Sequence, residues 1–493
     1  MSVILGIDLG TSSVKAMLLD CQTGGVTVES SAYNVCIERD GYAEQDPETW
    51  WLGTKEALRK LKKEHDMEFS QIAAVGISGQ MHGIVLMGED GAPLRPAILW
   101  LDQRAKEQLK QINENIDFDK MGSLFRSRVF TGFAFPSLLW VKENEAETLK
   151  RTKAFIMPKD YIRFKITGLL GSDMTDASAT TLFDTAKRKW AFDIINEFEL
   201  PEDIFPLCGE SMDLAGYVTS KCETECGLKA GIPVIFGCGD QMAQSIGNGV
   251  CKEGEVISNI GTGGQISAYI RQAKYDKALR THTFCNAFDK AYTIFGATLC
   301  GGMSLNWLKN KVLGIDGFDE MSKMAGEIPP GSGGIVFLPY LSGERTPHMN
   351  PNAKGLFYGL GLSHDKRYLS RAVMEGVTFS LKDSLTIFDE MGIEYKNIIA
   401  SGGGARSNEW LQIQADVFNR NVRVCVMEEQ ACLGACILAG VGSGILESVS
   451  SAANYFVKFR EEIFTPNSEN VKIYEEQYEL FRNLYAVNKN FMK

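Results

Sequence analysis

The sequence predicts an α/β fold built from two large domains, and three observations lead there. The chain has 493 residues, more than one hydrophobic core usually serves. Short apolar strands that end in glycine alternate with helices, the pattern of a sheet whose ligands gather at strand ends. A strand–turn–strand unit with a Gly-Thr turn occurs twice, once in each half of the chain.

The first unit runs from Val3 through Gly6-Ile7-Asp8-Leu9-Gly10-Thr11-Ser12-Ser13 to Asp20. Glycine lets backbone N–H groups approach a phosphate, and the hydroxyls of Thr11, Ser12 and Ser13 add donors. A third strand is expected near Val26 to Val35. A helix should follow from Pro47 to about Glu64, with Asp46 as its cap and proline in its first turn. Ile72 to Gly79 reads as a buried strand with a glycine end. Between Ile98 and about Trp190 lies a long mixed insertion that includes the helical stretch Pro136 to Asn144. The strand Ile232 to Gly237 leads into Cys238-Gly239-Asp240-Gln241.

The second unit, Glu255 to Ala268, turns at Gly261-Thr262-Gly263-Gly264. A late strand, Asn397 to Ser401, ends in Gly402-Gly403-Gly404, and a helix is expected from about Asn408 to Phe418. This is weak architectural symmetry rather than a short repeat. The domain boundary is expected between Asp240 and Glu255, giving domains 1–247 and 248–493 joined by a packed hinge.

A net charge of −11 argues against a nucleic-acid partner, which requires a basic face. No export signal and no apolar run near the length of a membrane span is visible, so the protein is expected in the cytoplasm. The 12 cysteines then read as reduced thiols. Cys222 and Cys226, like Cys432 and Cys436, stand one helical turn apart without further ligands beside them, which favours buried helical residues over a metal site.

Asp8 lies where a Mg²⁺ bridging phosphates would find an oxygen ligand. Phosphatases that form an aspartyl-phosphate carry a second acid two residues on, and Gly10 stands there instead. A turn-capping aspartate is the plainer alternative for Asp8, as a simple turn is for Gly-Asp-Gln. No Walker A sequence is present. Asp240 is the sharpest candidate for the carboxylate that takes a hydroxyl proton during phosphoryl transfer. Met81 and His82 follow a glycine strand end, where a neutral imidazole suits a polyol or ketose. Trp100, Asp102 and Arg104 are placed in the same cleft, Trp100 stacking on a sugar face and the other two pairing at a strand edge.

Taken together, these residues resemble the FGGY carbohydrate kinases. The resemblance runs through Gly6 to Ser12, Gly41 to Trp51, Ser78 to Gly83, Met157 to Tyr161 and Thr175 to Ala179. It continues through Gly237 to Gln241, Leu338 to Pro347 and Ser401 to Ala405. The Met81-His82 pair looks like the branch that phosphorylates D-xylulose rather than glycerol. The resemblance implies two actin-like (ribonuclease H-like) domains with ATP in the cleft between them. The first would hold the sugar and one phosphate loop, the second the nucleotide.

It further implies Asp240 as catalytic base, with Met81, His82 and Trp100 on the ketose and Asp8 on Mg²⁺. Thr11, Ser12 and Lys15 would face the phosphates, and Thr262, Gly302, Asn306, Gly404 and Asn408 match positions that contact ADP. Homodimers are common in that family.

Four departures bear on which sugar is preferred. Ser137 stands where the signature helix usually carries lysine, and Gly263 where serine is usual. Met242 is bulkier than the common small residue, and Asn286 replaces a frequent histidine. The expected reaction is phosphorylation of D-xylulose to D-xylulose 5-phosphate. A kinase for ribulose, gluconate or a polyol, and a non-catalytic actin-like ATP-binding protein, are the alternatives.

Overall fold

In the computed structural model, which describes residues 2–492, β1 (Val3–Leu9) and β2 (Ser13–Asp20) form the expected antiparallel hairpin. The side chains of Val3, Ile4, Leu5, Ile7 and Leu9 are all buried, so both faces of β1 are covered. That explains a continuous apolar run where a half-exposed strand would alternate. β3 (Val26–Ala32) pairs with β2. α1 spans Pro47–Glu64, with Asp46 accepting from the Glu48 N–H at 3.0 Å. β4 (Ile72–Gly79) lies parallel to β1 on its other side. The insertion is largely helical and contributes α2 (Ala134–Asn144), α3 (Pro158–Thr167) and α4 (Met174–Ala179). β5 (Leu214–Tyr217) and β6 (Pro233–Ile235) complete a sheet of order β5-β6-β4-β1-β2-β3. α5 (Asp240–Gly247) follows.

The second half repeats the plan. β7 (Gly254–Ile260) and β8 (Gly264–Ile270) form the second hairpin, with β9 (His282–Cys285) and β10 (Tyr292–Thr298) beyond it. After α6 (Gly302–Trp307) and the long α7 (Lys366–Glu390), β11 (Tyr395–Ser401) pairs parallel with β7. α8 (Asn408–Phe418) and β12 (Asn421–Val424) follow, giving the order β9-β10-β8-β7-β11-β12. Each sheet therefore holds an antiparallel meander followed by parallel strands on the far side of its first strand. A three-residue Gly-Thr turn caps the first hairpin of both sheets.

One element crosses between the halves. α9 (Gln430–Gly442) comes from the C-terminal half but lies on the first sheet. Glycines permit this approach. A Cβ at Gly6 would stand 2.4 Å from the Cys432 carbonyl oxygen, and one at Gly76 would stand 2.1 Å from that of Ala435. α5 packs on α9. One core joins Ile4, Met17 and Ala74 of the first sheet to Ile257 and Ile399 of the second, through Met242, Ala243 and Ile246 of α5 and Leu433 and Ile437 of α9. Met242, one of the departures, is thus interior packing between the sheets.

The cysteine expectation fits: Cys222, Cys226, Cys432 and Cys436 are buried on helices. Among the described residues no group of three His, Cys, Asp or Glu is arranged to hold a metal. No described helix is long and apolar enough to cross a membrane.

Candidate active site

The strand ends of both sheets converge on one cavity of about 520 Å³, bordered by Asp8, Thr11, Met81, His82, Asp240 and Thr262 among others. A second cavity of about 470 Å³ adjoins it, and Gln244 lines both. Lys15, Ser401, Gly402, Gly403 and Arg406 line the second one.

Asp8 stands near the end of β1, where Ser78 Oγ of the neighbouring β4 donates to its Oδ1 at 2.6 Å. Burial raises its carboxyl above the ordinary range, against the Ser78 bond and the charge of Lys15. The first turn is tied down by Tyr33 Oη donating to the Gly10 carbonyl at 2.7 Å and Gln45 Nε2 donating to the Thr11 carbonyl at 2.8 Å. Thr11 Oγ1 donates to Gln80 at 3.0 Å and accepts from Trp100 Nε1 at 3.1 Å. The Trp100 indole is therefore oriented by its N–H, on the wall of the larger cavity. Ser12 is exposed at the tip of the turn. Lys15 Nζ meets Glu429 at 2.5 Å, so this cation enters the smaller cavity already paired.

Asp240 is the first residue of α5, after a two-residue strand, Cys238–Gly239, that pairs with the end of β4. Gly239 gives the chain its path: a Cβ there would stand 2.7 Å from the Met81 side chain. Burial, and then the charge of Asp8, push the Asp240 carboxyl up to about 7. A helix N-terminus favours the charged form, and here burial outweighs it. The result is a carboxyl group that is half ionised near neutrality, as a general base requires.

His82 sits at φ 68°, a left-handed conformation that non-glycine residues seldom adopt and that clusters at functional sites. Its ring stacks on Phe133 at 4.0 Å between centroids, and Nδ1 lies 3.0 Å from the Ala179 carbonyl. Burial lowers its pKa to about 3, so the ring is neutral. Nδ1–H donates to Ala179, which leaves Nε2 as an acceptor for a hydroxyl.

On the other side, the turn at Thr262 is locked to α6: the N–H groups of Gly301 and Met303 donate to the Thr262 carbonyl, each at 3.0 Å. Gly302 and Asn306 stand on α6 behind that turn, Gly302 N–H donating to the Gly261 carbonyl at 2.8 Å. At Gly263 a Cβ would stand 2.6 Å from the Thr298 carbonyl oxygen, so this departure matches a close approach of backbone. Gly404 is buried against Ile260 directly after the two glycines that line the smaller cavity, and Asn408 opens α8.

Two expectations need correction. Asp102 and Arg104 do not border the cleft with Trp100, nor do they lie at a strand edge. Asp102 is buried, accepts from Ala43 N–H at 2.7 Å and pairs with Arg104 at 2.8 Å within a turn. Arg104 lies over the rings of Tyr42 and Trp140, in a separate depression. Flat guanidinium stacking on two aromatics decides this position. Among the other departures, Ser137 is buried on α2, and Asn286 Nδ2 donates to Thr293 Oγ1 of β10 at 2.8 Å.

Sequence reading missed a buried charge cluster behind the base. Lys159 is fully buried, its Nζ 2.7 Å from Asp160, 2.9 Å from Asp173 and 3.1 Å from Asp176. Arg163 adds a second cation, 2.7 Å from Asp160. Burial pushes the Asp176 carboxyl well up, against the pull of the Lys159 charge. Asp173 accepts from Thr175 Oγ1 at 2.7 Å, and that hydroxyl oxygen accepts the Gly239 N–H at 2.9 Å. The cluster thus reaches the residue before Asp240. Its sequence signal was charged residues in the otherwise apolar Met157–Tyr161 and Thr175–Ala179 stretches. Gln241, Gln244, Asn259 and Arg345 also border the cavity without having been singled out.

Family models match both halves: the N-terminal domain of the FGGY family of carbohydrate kinases over residues 3–247, and its C-terminal domain over 257–443. A xylulose kinase of Bacillus subtilis is 36% identical over 99% of this chain and 98% of its own length. One from Staphylococcus epidermidis is 37% identical over 99% of this chain and 97% of its own. The crystal structure of a ligand-bound xylulose kinase from Lactobacillus acidophilus superposes with a TM-score of 0.94 at 25% identity, covering 99% of both chains. With both domain models matched in order and the two-sheet architecture shared, the chain belongs to the FGGY family of carbohydrate kinases.

Proposed function

We propose that this kinase transfers the γ-phosphoryl group of ATP to the terminal hydroxyl of D-xylulose, giving D-xylulose 5-phosphate and ADP. The observation that carries the reading is a single cavity bordered by a carboxyl group with a pKa of about 7, a neutral histidine and both Gly-Thr turns. The sugar oxygen bonds to the γ-phosphorus as the bond from that phosphorus to the β,γ-bridging oxygen breaks. Asp240 takes the hydroxyl proton, and Met81, His82 and Trp100 hold the sugar. Thr11, Ser12, Lys15 and Thr262 face the phosphates, with Gly302, Asn306, Gly404 and Asn408 on the nucleotide side. For Lys15 this means exchanging Glu429 for a phosphate.

A divalent cation fits the acid pair: Asp8 and Asp240 border one cavity, and burial raises both. Two carboxylates without further ligands suit Mg²⁺ that arrives with nucleotide phosphates and keeps several waters. Asp8 would hold it, and it would neutralise charge on the β- and γ-phosphates.

A panel of xylulose, ribulose, gluconate, glycerol and pentitols, read through coupled ADP release, tests the substrate. Turnover of xylulose well above the others supports the reading, and preference for another member replaces it. ATP binding without ADP release, whatever sugar is added, would favour the non-catalytic alternative. His82→Ala is expected to raise the KM for xylulose roughly 10–100-fold by removing a buried acceptor, while the KM for ATP holds. Unchanged xylulose saturation would rule out the contact.

A further inference from the structure

The cavity bordered by Asp8 and Asp240 also contains a cation that the reaction as described leaves without work. Arg345, from the loop after Leu338, lines the same wall as Met81 and His82. Its guanidinium meets His282, whose ring lies 6.2 Å from that of Phe133, and Phe133 stacks on His82. Arg345 therefore stands toward the His82 end of the cavity.

Its surroundings hold the guanidinium without neutralising it. Nη2 donates to His282 Nε2 at 3.1 Å, and His282 Nδ1 in turn lies 2.7 Å from Ser127 Oγ. The Ser127 hydroxyl is spent on the Arg128 carbonyl at 2.7 Å, so His282 Nδ1 carries the proton and the ring is neutral. The ring of Phe130 covers the guanidinium from 4.3 Å. Nε is buried with no partner. Among the described residues no carboxylate pairs with it. The neighbouring Glu344 accepts instead from the backbone N–H groups of Leu299 and Arg345, and burial pushes its carboxyl up to about 8. The charge of Glu344 supports the guanidinium without an ion-pair contact, and oxygen-rich ligands relieve the remaining cost of burying it.

We propose that Arg345 is a specificity-determining residue that grips the carbonyl end of the sugar. Its N–H groups donate to the ketone oxygen and the adjacent hydroxyl of an α-hydroxy ketone. The planar fork of a guanidinium matches two neighbouring oxygens, and a reduced sugar offers it no carbonyl acceptor. This rests on the reading of the substrate as a ketose phosphorylated at its far terminus. It adds a contact from the second domain, so a bound ketose bridges the two halves.

The test compares Arg345→Met and Arg345→Lys with the wild type, using D-xylulose, xylitol and gluconate, with KM and kcat determined for sugar and ATP separately. Arg345→Met is expected to raise the KM for xylulose roughly 10–100-fold, to leave the KM for ATP within about twofold, and to lower kcat/KM for xylitol by a clearly smaller factor, because xylitol keeps the adjacent hydroxyl but not the ketone. Arg345→Lys, which keeps the charge and loses the fork, should fall between, and serves if the Met variant does not fold. Equal losses on xylulose and xylitol, or an equal rise in the KM for ATP, would mark a merely structural residue and overturn the proposal. A wild type that uses xylitol as well as xylulose overturns it too. A wild type active on gluconate alone ends the xylulose reading and this proposal with it, whereas Arg345 variants that keep the wild-type KM for xylulose overturn the proposal and leave the xylulose reading standing.

Discussion

Asp240→Asn is expected to lose turnover by about 10²–10⁴-fold and to gain stability at the same time. The two effects have one cause. Burial and the charge of Asp8 hold the Asp240 carboxyl near 7, far above its ordinary 3.8. The folded chain keeps this proton between 3.8 and about 7, where the unfolded chain has released it. Stability therefore falls as pH rises through that window, and the whole penalty is present above it. Asparagine carries no charge and removes the penalty, a gain of roughly 1–3 kcal/mol at pH 8 that fades toward pH 4. Denaturation midpoints of both proteins at pH 5 and 8 check the sign. In the wild type, kcat/KM for the sugar should climb with pH to about 7 and then level, because the base must be ionised. A near-normal rate in the Asn variant, or a variant less stable than the wild type at pH 8, would contradict the assignment.

Lys159→Met should be among the most damaging single changes outside the cavity. Lys159 touches three carboxyl groups with no solvent to share the load. Against its own burial, the charges of Asp160, Asp173 and Asp176 raise its pKa, so it is always protonated. Against burial again, Lys159 and then Arg163 hold Asp160 low. Without the ammonium, Asp160 keeps Arg163 but Asp173 loses its cation, at an expected loss of about 3–5 kcal/mol. The loss should shrink in acid, where Asp160 can take up a proton. Lys150→Met provides the contrast: its bond to Glu147 is fully exposed, and solvent screening should leave the urea midpoint of this variant near that of the wild type. Urea midpoints of the two variants at pH 5 and 8 decide it. Equal losses would mean that the buried cluster is no more than packing.

Much of this was legible from local pattern. Both hairpins, α1 with its Asp46 cap, β4 and α8 follow from apolar runs bounded by glycine, proline and capping residues. Asp240 stood out because a charged residue follows an apolar strand end directly after two glycines, Gly237 and Gly239. Partners distant in sequence did not show. The Lys15–Glu429 pair joins residues 414 apart, and nothing near Lys15 announces it. The Lys159 cluster draws on α3 and the start of α4, which only the fold brings together. Arg345 looked like any loop arginine, because its lack of a counter-ion is a property of its surroundings. The Asp102–Arg104 spacing showed that the two residues pair but not where, since Tyr42 and Trp140 fix the location.

The path of α9 has a consequence for synthesis. A nascent chain exposes β1 and β4 long before residue 442 leaves the ribosome, and only then can the glycine-lined face of the first sheet be sealed. At about 5–20 residues per second the wait is roughly 20–70 s. During that time the early sheet is an unfinished, adhesive surface in need of a chaperone's shelter. The last tenth of translation, rather than the first half, commits the amino-terminal domain to its shape.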